Sequence, residues 1–185
     1  MKKQIFYDKF NITHDDFALI TFHPETIAKD KNELFAFEMR KALIKISAKL
    51  FLVVTLPNAD TMGSIYRKEM HLIKKKFPKR IVLIENFGED NYFNAMYYAK
   101  LLIGNSSSGI IEAASFGKYV INVGDRQKGR EHSENLINTS YNHKKIVDSV
   151  EKALKLGTYS GHNVYLKKGS INLIIESIKK YYETI

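Results

Sequence analysis

The sequence predicts an α/β fold: a Rossmann-like, doubly wound domain built on a parallel sheet. Two observations carry this prediction. Strand-like runs are continuously apolar rather than alternating, and amphipathic helical patterns separate them; a parallel sheet covered by helices on both faces reads this way. Polar clusters with binding chemistry recur at the carboxyl ends of these runs, the edge where such sheets bind ligands. Proline and glycine are sparse, at 3 and 10 of 185 residues, and no repeat or linker divides the chain, so residues 1–185 read as one domain.

The elements follow in order. Residues 17–22, Phe-Ala-Leu-Ile-Thr-Phe, form the first strand. Residues 32–49 have helical spacing, with Leu34, Phe37, Ala42, Leu43 and Ile46 as inward positions. Residues 50–56 are rich in β-branched side chains and stop at Pro57, which suits a second strand. Residues 62–77 read as a helix ended by Pro78, and 81–84 as a third strand. A short helix over 92–99 leads to a fourth strand at 101–103. Residues 110–116 read as a helix closed by Gly117, a natural C-cap. Residues 119–123 make a fifth strand and Leu136-Ile137 a short sixth. Helices cover 144–156 and 170–182, where Tyr181 and Tyr182 read as packing residues.

Hydrophobic residues make up 44% of the chain, as in a globular rather than a disordered protein. No apolar run approaches the roughly 20 residues of a membrane span, and the start, Met-Lys-Lys-Gln-Ile-Phe, lacks the apolar stretch of a signal peptide. The absence of cysteine excludes disulfides and thiolate metal sites. His14, His71, His132, His143 and His162 show no metal-ligand spacing, and His71, on a helix face, reads as structural. No metal or cofactor is expected, and a cytoplasmic location is the simplest expectation. Much of the net charge of +9 lies where Arg67, Lys68, Lys74, Lys75, Lys76, Lys79 and Arg80 face only Glu69. A solvated helix face explains this run better than a nucleic-acid surface, because no aromatic stacking ladder or nucleic-acid motif accompanies it. Self-association into a homo-oligomer is compatible with the sequence.

The most informative stretch is Gly104-Asn105-Ser106-Ser107-Ser108-Gly109-Ile110-Ile111-Glu112-Ala113. A strand that ends in small and hydroxyl residues and then enters a helix makes an anion site, since free N–H groups and the helix dipole both favour negative charge. Ser106, Ser107 and Ser108 add hydroxyl donors. Glu112, one helical turn beyond Ser108, reaches the same mouth; a carboxylate accepts well from two sugar hydroxyls. Together they point to a diphosphate on the loop and a ribose on Glu112. An ordinary N-cap, with Glu112 near capping-box spacing from Ser108, is the plain alternative.

Other clusters share that edge. His23 follows the first strand, where it can contact a phosphate or leaving group, or simply bond the backbone as a loop histidine. Asn58, after the second strand, can bond a base or ribose or form an Asx turn, and Asp60 is a cap for the next helix. After the fifth strand, Arg126 and Arg130 flank a glycine-containing turn suited to phosphate or a base edge, or to a basic surface loop. Glu131 can pair with Lys128 or Arg130, and Glu134 faces solvent by default.

Phe22-His23-Pro24-Glu25-Thr26, Leu56-Pro57-Asn58-Ala59-Asp60, residues 103–112 and Gly124-Asp125-Arg126-Gln127-Lys128-Gly129-Arg130 occur in that order. They resemble the C-terminal half of hydrolysing UDP-N-acetylglucosamine 2-epimerases, the type that feeds sialic and nonulosonic acid synthesis. The resemblance covers about residues 10–155. It implies one half of a GT-B architecture, two Rossmann-like domains around a cleft. It implies conversion of UDP-N-acetylglucosamine to N-acetylmannosamine and UDP, by elimination to a glycal and addition of water. Ser106 and Ser107 match diphosphate positions, Glu112 the ribose position, and His23 a catalytic position near the diphosphate; Asn58 and Arg126 match the nucleotide pocket. UDP or a UDP-N-acetylhexosamine is the implied partner. The family's acid and base carboxylates belong to an N-terminal domain that matches nothing here, so the chain alone is expected to be inactive, and that domain, or a separate subunit, is an expected partner. The donor domain of a GT-B glycosyltransferase and a non-catalytic nucleotide-sugar module are the competing functions.

Overall fold

In the computed structural model, residues 1–58 and 61–183 are described; Asp60, the expected helix cap, lies outside the described residues. The elements are α1 (Lys3–Phe10), β1 (Phe17–Thr21), α2 (Asn32–Ile46), β2 (Phe51–Thr55), α3 (Thr61–Lys76), β3 (Ile81–Ile84), α4 (Glu89–Tyr98), β4 (Leu101–Gly104), α5 (Ser107–Ile111), β5 (Val120–Val123), β6 (Leu136–Thr139), α6 (His143–Leu156) and α7 (Ser170–Glu183). The strands pair in parallel throughout, in the order β3-β2-β1-β4-β5-β6. The strand order reverses between β1 and β4. The loops that leave their carboxyl ends diverge there and open the crevice in which such sheets bind ligands.

The continuous apolar runs follow from burial on both faces. Ala18, Ile20, Leu52, Val54 and Ile103 point to the side packed by α2, α3 and α6. Phe17, Leu19, Phe51, Val53 and Leu102 point to the side packed by α1 and α4. Alternate side chains of one strand thus enter two different cores. Among the described residues, no helix is long and apolar enough to cross a membrane.

Several expectations need correction. On α2 the buried stripe is Asn32, Ala36, Met39, Ala42, Leu43 and Ile46. Leu34 and Phe37 are exposed, because they sit off that stripe; Arg40 and Lys41 lie over the Phe37 ring, each 5.2 Å from its centroid. No residue of α7 is buried, so Tyr181 and Tyr182 do not pack into a core; they pair edge-on with ring centroids 5.8 Å apart. His71 lies on a helix face as expected, the exposed face of α3. The predicted helix over 110–116 is two pieces: α5 stops at Ile111, Glu112 stands at the junction, and a 3-10 turn runs over Ala113–Phe116. Gly117 closes it in the left-handed region at φ 68°, as its C-cap position predicts. Helix α1 adds an element before the first strand, with Phe6 and Tyr7 buried among Phe10, Phe17 and Phe87.

The basic run on α3 is partly consumed inside the fold. Arg67 makes a two-pronged bond to Glu85, at 2.9 and 2.6 Å, and donates to the Pro57 carbonyl at 3.0 Å. Lys74 donates to the carbonyls of Pro78 and Ile81. Arg40 of α2 pairs with Glu69.

At the switch point Gly104 pairs with Thr21 across β4 and β1. A Cβ at Gly104 would lie 1.9 Å from the Thr21 carbonyl oxygen, so only glycine lets the two strands approach here. Gly104→Ala is therefore expected to cost about 3 kcal/mol or more in urea unfolding. Gly88→Ala, at φ +69° in open space, is expected to cost only ~1 kcal/mol. Equal losses would contradict the close-approach argument.

Candidate functional site

The loops after β1, β4 and β5 meet on one residue, Asn105. It is fully buried. Its Oδ1 accepts the His23 N–H at 2.8 Å, and its Nδ2 donates to the His23 carbonyl at 2.8 Å. The second Nδ2 hydrogen goes to the Tyr141 hydroxyl at 3.1 Å. The Asn105 backbone carbonyl accepts from Arg126 Nη1 at 3.2 Å and Gln127 Nε2 at 2.7 Å. Both amide donors are in use, which fits a residue that must not be left unpaired in a dry site. His23 and Arg126, far apart in sequence, are thereby fixed on either side of the loop that opens α5.

A second layer holds this clamp. Tyr141 passes its own proton to Glu25 Oε1 at 3.2 Å and stacks on Phe35, with ring centroids 4.0 Å apart. Gly124 threads between them at φ +82°, where a Cβ would lie 2.2 Å from the Tyr141 ring. The glycine that begins the 124–130 motif is required by packing.

His23 is half-buried at the mouth. Burial, and then the nearby positive charge of Arg126, hold its imidazole below the ordinary value of 6.5. At neutral pH it is an uncharged ring beside a cation, which suits a site awaiting an anion.

Ser106 is the N-cap of α5, with extended backbone, and its hydroxyl accepts the Ser108 N–H at 3.4 Å. The Ser107 hydroxyl is half-buried and has no hydrogen-bond partner among the described residues. The plain alternative is thus met in part, since a serine does cap the helix, but with Ser106 as the cap Glu112 lies too far along to close a capping box. The break in the helix at Glu112 is stabilised from outside: Asn163 Nδ2 donates to the Ile111 carbonyl at 2.9 Å and to Ser115 Oγ at 2.6 Å. Glu112 Oε2 is buried with no partner, and burial pushes the carboxyl above its usual 4.5. A buried acceptor without a donor lacks part of its environment.

The remaining predicted residues stand differently. Asn58 is exposed at the end of β2, and no hydrogen bond among the described residues ties its side chain to the Asn105 cluster. Arg130, Glu131 and Glu134 are exposed, and no ion pair among the described residues joins Glu131 to Lys128 or Arg130. No group of three or more His, Asp or Glu side chains among the described residues is arranged to hold a metal. Sequence reasoning assigned no role to Asn105, although it lies inside the quoted motif. Gln127, Tyr141 and Asn163 it could not place, because their partners are brought to them only by the fold.

The family described as UDP-N-acetylglucosamine 2-epimerase matches residues 1–179. A GDP/UDP-N,N'-diacetylbacillosamine 2-epimerase (hydrolyzing) from Campylobacter jejuni is 36% identical over 126 residues, 67% of this chain and 32% of that protein. The crystal structure of Methanocaldococcus jannaschii UDP-GlcNAc 2-epimerase, in complex with UDP-GlcNAc and UDP, has a TM-score of 0.73 at 19% identity, covering 97% of this chain and 49% of that one. An Escherichia coli ADP-heptose LPS heptosyltransferase II has a TM-score of 0.62 at 9% identity, covering 83% of this chain and 51% of that one. The fold is one Rossmann-like half of a GT-B architecture, and the chain spans a third to a half of the length of the proteins it matches.

The carboxylate with one unpartnered oxygen has a stability signature. A carboxyl whose folded value is raised disfavours the fold once it ionises, so the penalty is absent at low pH and grows as pH rises through 4.5. Glu112→Gln is expected to raise the melting temperature of the ligand-free protein at pH 7 by roughly 2–4 °C, with the gain narrowing toward pH 4.5. A lower melting temperature for Glu112→Gln at pH 7 would show that the carboxylate's internal hydrogen bonding outweighs the cost of its burial.

Proposed function

From a chain that belongs to the UDP-N-acetylglucosamine 2-epimerase family, we propose that residues 1–185 form the nucleotide-sugar-binding unit of a hydrolysing UDP-N-acetylhexosamine 2-epimerase. The observation that carries this reading is Glu112, a buried carboxylate oxygen without a donor, just beyond a loop of serine hydroxyls. A ribose diol supplies the donors that Glu112 lacks. Ser106, Ser107 and the first N–H groups of α5 face the diphosphate, Arg126 neutralises it, and Asn58 contacts the nucleotide from the end of β2. His23, neutral beforehand, takes up positive character as charge develops on departing UDP. The overall reaction eliminates UDP to leave a glycal, then adds water to give free N-acetylhexosamine. The carboxylates that remove the proton at C2 match no position in this chain, so a partner domain or subunit supplies them. A cytoplasmic location, where nucleotide sugars are used, belongs to the same reading. The glycosyltransferase reading shares the fold, but the family match favours the epimerase.

Calorimetry with UDP on the wild type and Glu112→Ala tests the assignment. Wild type is expected to bind, and the variant to lose ~1–3 kcal/mol; the same samples, given UDP-N-acetylglucosamine and followed by NMR, are expected to release no N-acetylmannosamine. Equal affinities would remove the ribose role, and turnover by the chain alone would remove the need for a partner.

The depressed value of His23 predicts proton uptake on binding. A diphosphate beside the ring raises its folded value back toward or above 6.5. Affinity for UDP-N-acetylglucosamine, whose doubly substituted diphosphate does not titrate near neutrality, is therefore expected to rise as pH falls from 8 to 6. His23→Gln is expected to flatten this dependence. The same slope in both proteins would take His23 out of the diphosphate site.

A further inference from the structure

We propose that Tyr92 is a positioning residue for the diphosphate, acting through a directed chain of hydroxyls that commits Ser106 to donate its proton outward. The inference rests on the reading that a diphosphate occupies the Ser106–Glu112 loop. Tyr92 comes from α4, outside every motif that the sequence brings forward.

The chain begins on β2. Thr55 Oγ1 donates to Thr21 Oγ1 at 2.8 Å, with the Ile20 carbonyl a second acceptor at 3.2 Å. Thr21 Oγ1 lies 3.2 Å from the Tyr92 hydroxyl, Tyr92 lies 2.8 Å from Ser108 Oγ, and Ser108 Oγ lies 2.9 Å from Ser106 Oγ. Each hydroxyl has one proton. Since Thr55 donates to Thr21, the Thr21 proton turns to Tyr92. Tyr92 then gives its proton to Ser108, and Ser108 gives its own to Ser106. Ser106 Oγ also receives the Ser108 N–H at 3.4 Å. The Ser106 proton is left as the one without an internal acceptor, at the open end of the chain.

The surroundings preserve this order. Thr21, Tyr92, Ser106 and Ser108 line a narrow cleft whose other walls include Leu19, Leu102 and Val120. Apolar walls offer no competing partners, and hydroxyls in series polarise one another. Tyr92 is the central link in the series. Without its oxygen, Thr21 loses its acceptor and Ser108 loses its donor. Ser106 and Ser108 can then exchange roles, and the proton at the mouth is no longer committed to the ligand.

The test compares UDP with uridine, which lacks the diphosphate, by ligand-observed NMR. Tyr92→Phe is expected to weaken UDP about fivefold to tenfold and to leave uridine unchanged. Thr55→Val, at the far end, is expected to weaken UDP by a smaller factor. In a Ser106→Ala background, Tyr92→Phe is expected to have no further effect, because the donor it orients is gone. A loss for uridine equal to that for UDP, or equal factors with and without Ser106, would overturn the relay and leave Tyr92 as packing. UDP binding by the wild type with no change in Tyr92→Phe overturns the relay alone. No UDP binding by the wild type overturns both the relay and the nucleotide reading.

Discussion

A buried asparagine at the end of a central strand has to satisfy its amide somewhere, and in this fold every available partner belongs to another loop. Asn105 takes both backbone polar groups of His23 and the hydroxyl of Tyr141, and its own carbonyl holds Arg126 and Gln127. Breaking a bond of the buried amide leaves a polar group unpaired away from water, which costs more than a typical bond contributes. The constraint runs in both directions. The loops hold Asn105 in its conformation, and Asn105 sets the distance between the histidine and the arginine. Gly104 makes the arrangement possible, since the approach of β1 to β4 at Thr21 has no room for a side chain.

The electrostatics of the edge follow from that geometry. One half-buried ring is kept neutral beside a guanidinium, and one carboxylate oxygen is kept dry without a donor. Each arrangement is unfavourable in an empty protein. An anion resolves the first and a diol the second, and a nucleoside diphosphate carries both groups on one molecule. The cost is modest because the two strained groups sit on well-supported elements: Asn163 holds the break beside Glu112, and Tyr141 with Glu25 backs the histidine loop.

Much of this was legible in the sequence, and the reasons differ by element. The four inner strands announced themselves because burial on both faces demands uninterrupted apolar runs, and Gly117 announced the end of its helix through left-handed geometry. The site edge was legible because strand ends and polar clusters coincide. Helix α2 was misjudged at Leu34 and Phe37 because a polar residue, Asn32, and a small one, Ala36, occupy the buried stripe where helices crowd the sheet. Periodicity counts large apolar residues and passes over such positions. Helix α1 carried its signal in Phe6, Tyr7 and Phe10, one turn apart. The break at Glu112 and the roles of Asn105, Tyr92 and Asn163 depend on partners distant in sequence, which local pattern does not encode.

On the function proposed above, an anionic nucleotide enters at the β1–β4 switch point and not on the basic face of α3. An NMR titration of the amide resonances with UDP tests this directly. The account predicts saturable shifts in Asn105, Ser106, Ser107, Ser108, Glu112 and Arg126, with Lys74, Lys75 and Lys76 unmoved. Shifts confined to α3, or spread along it without saturation, would contradict the account and return the positive charge to non-specific anion binding.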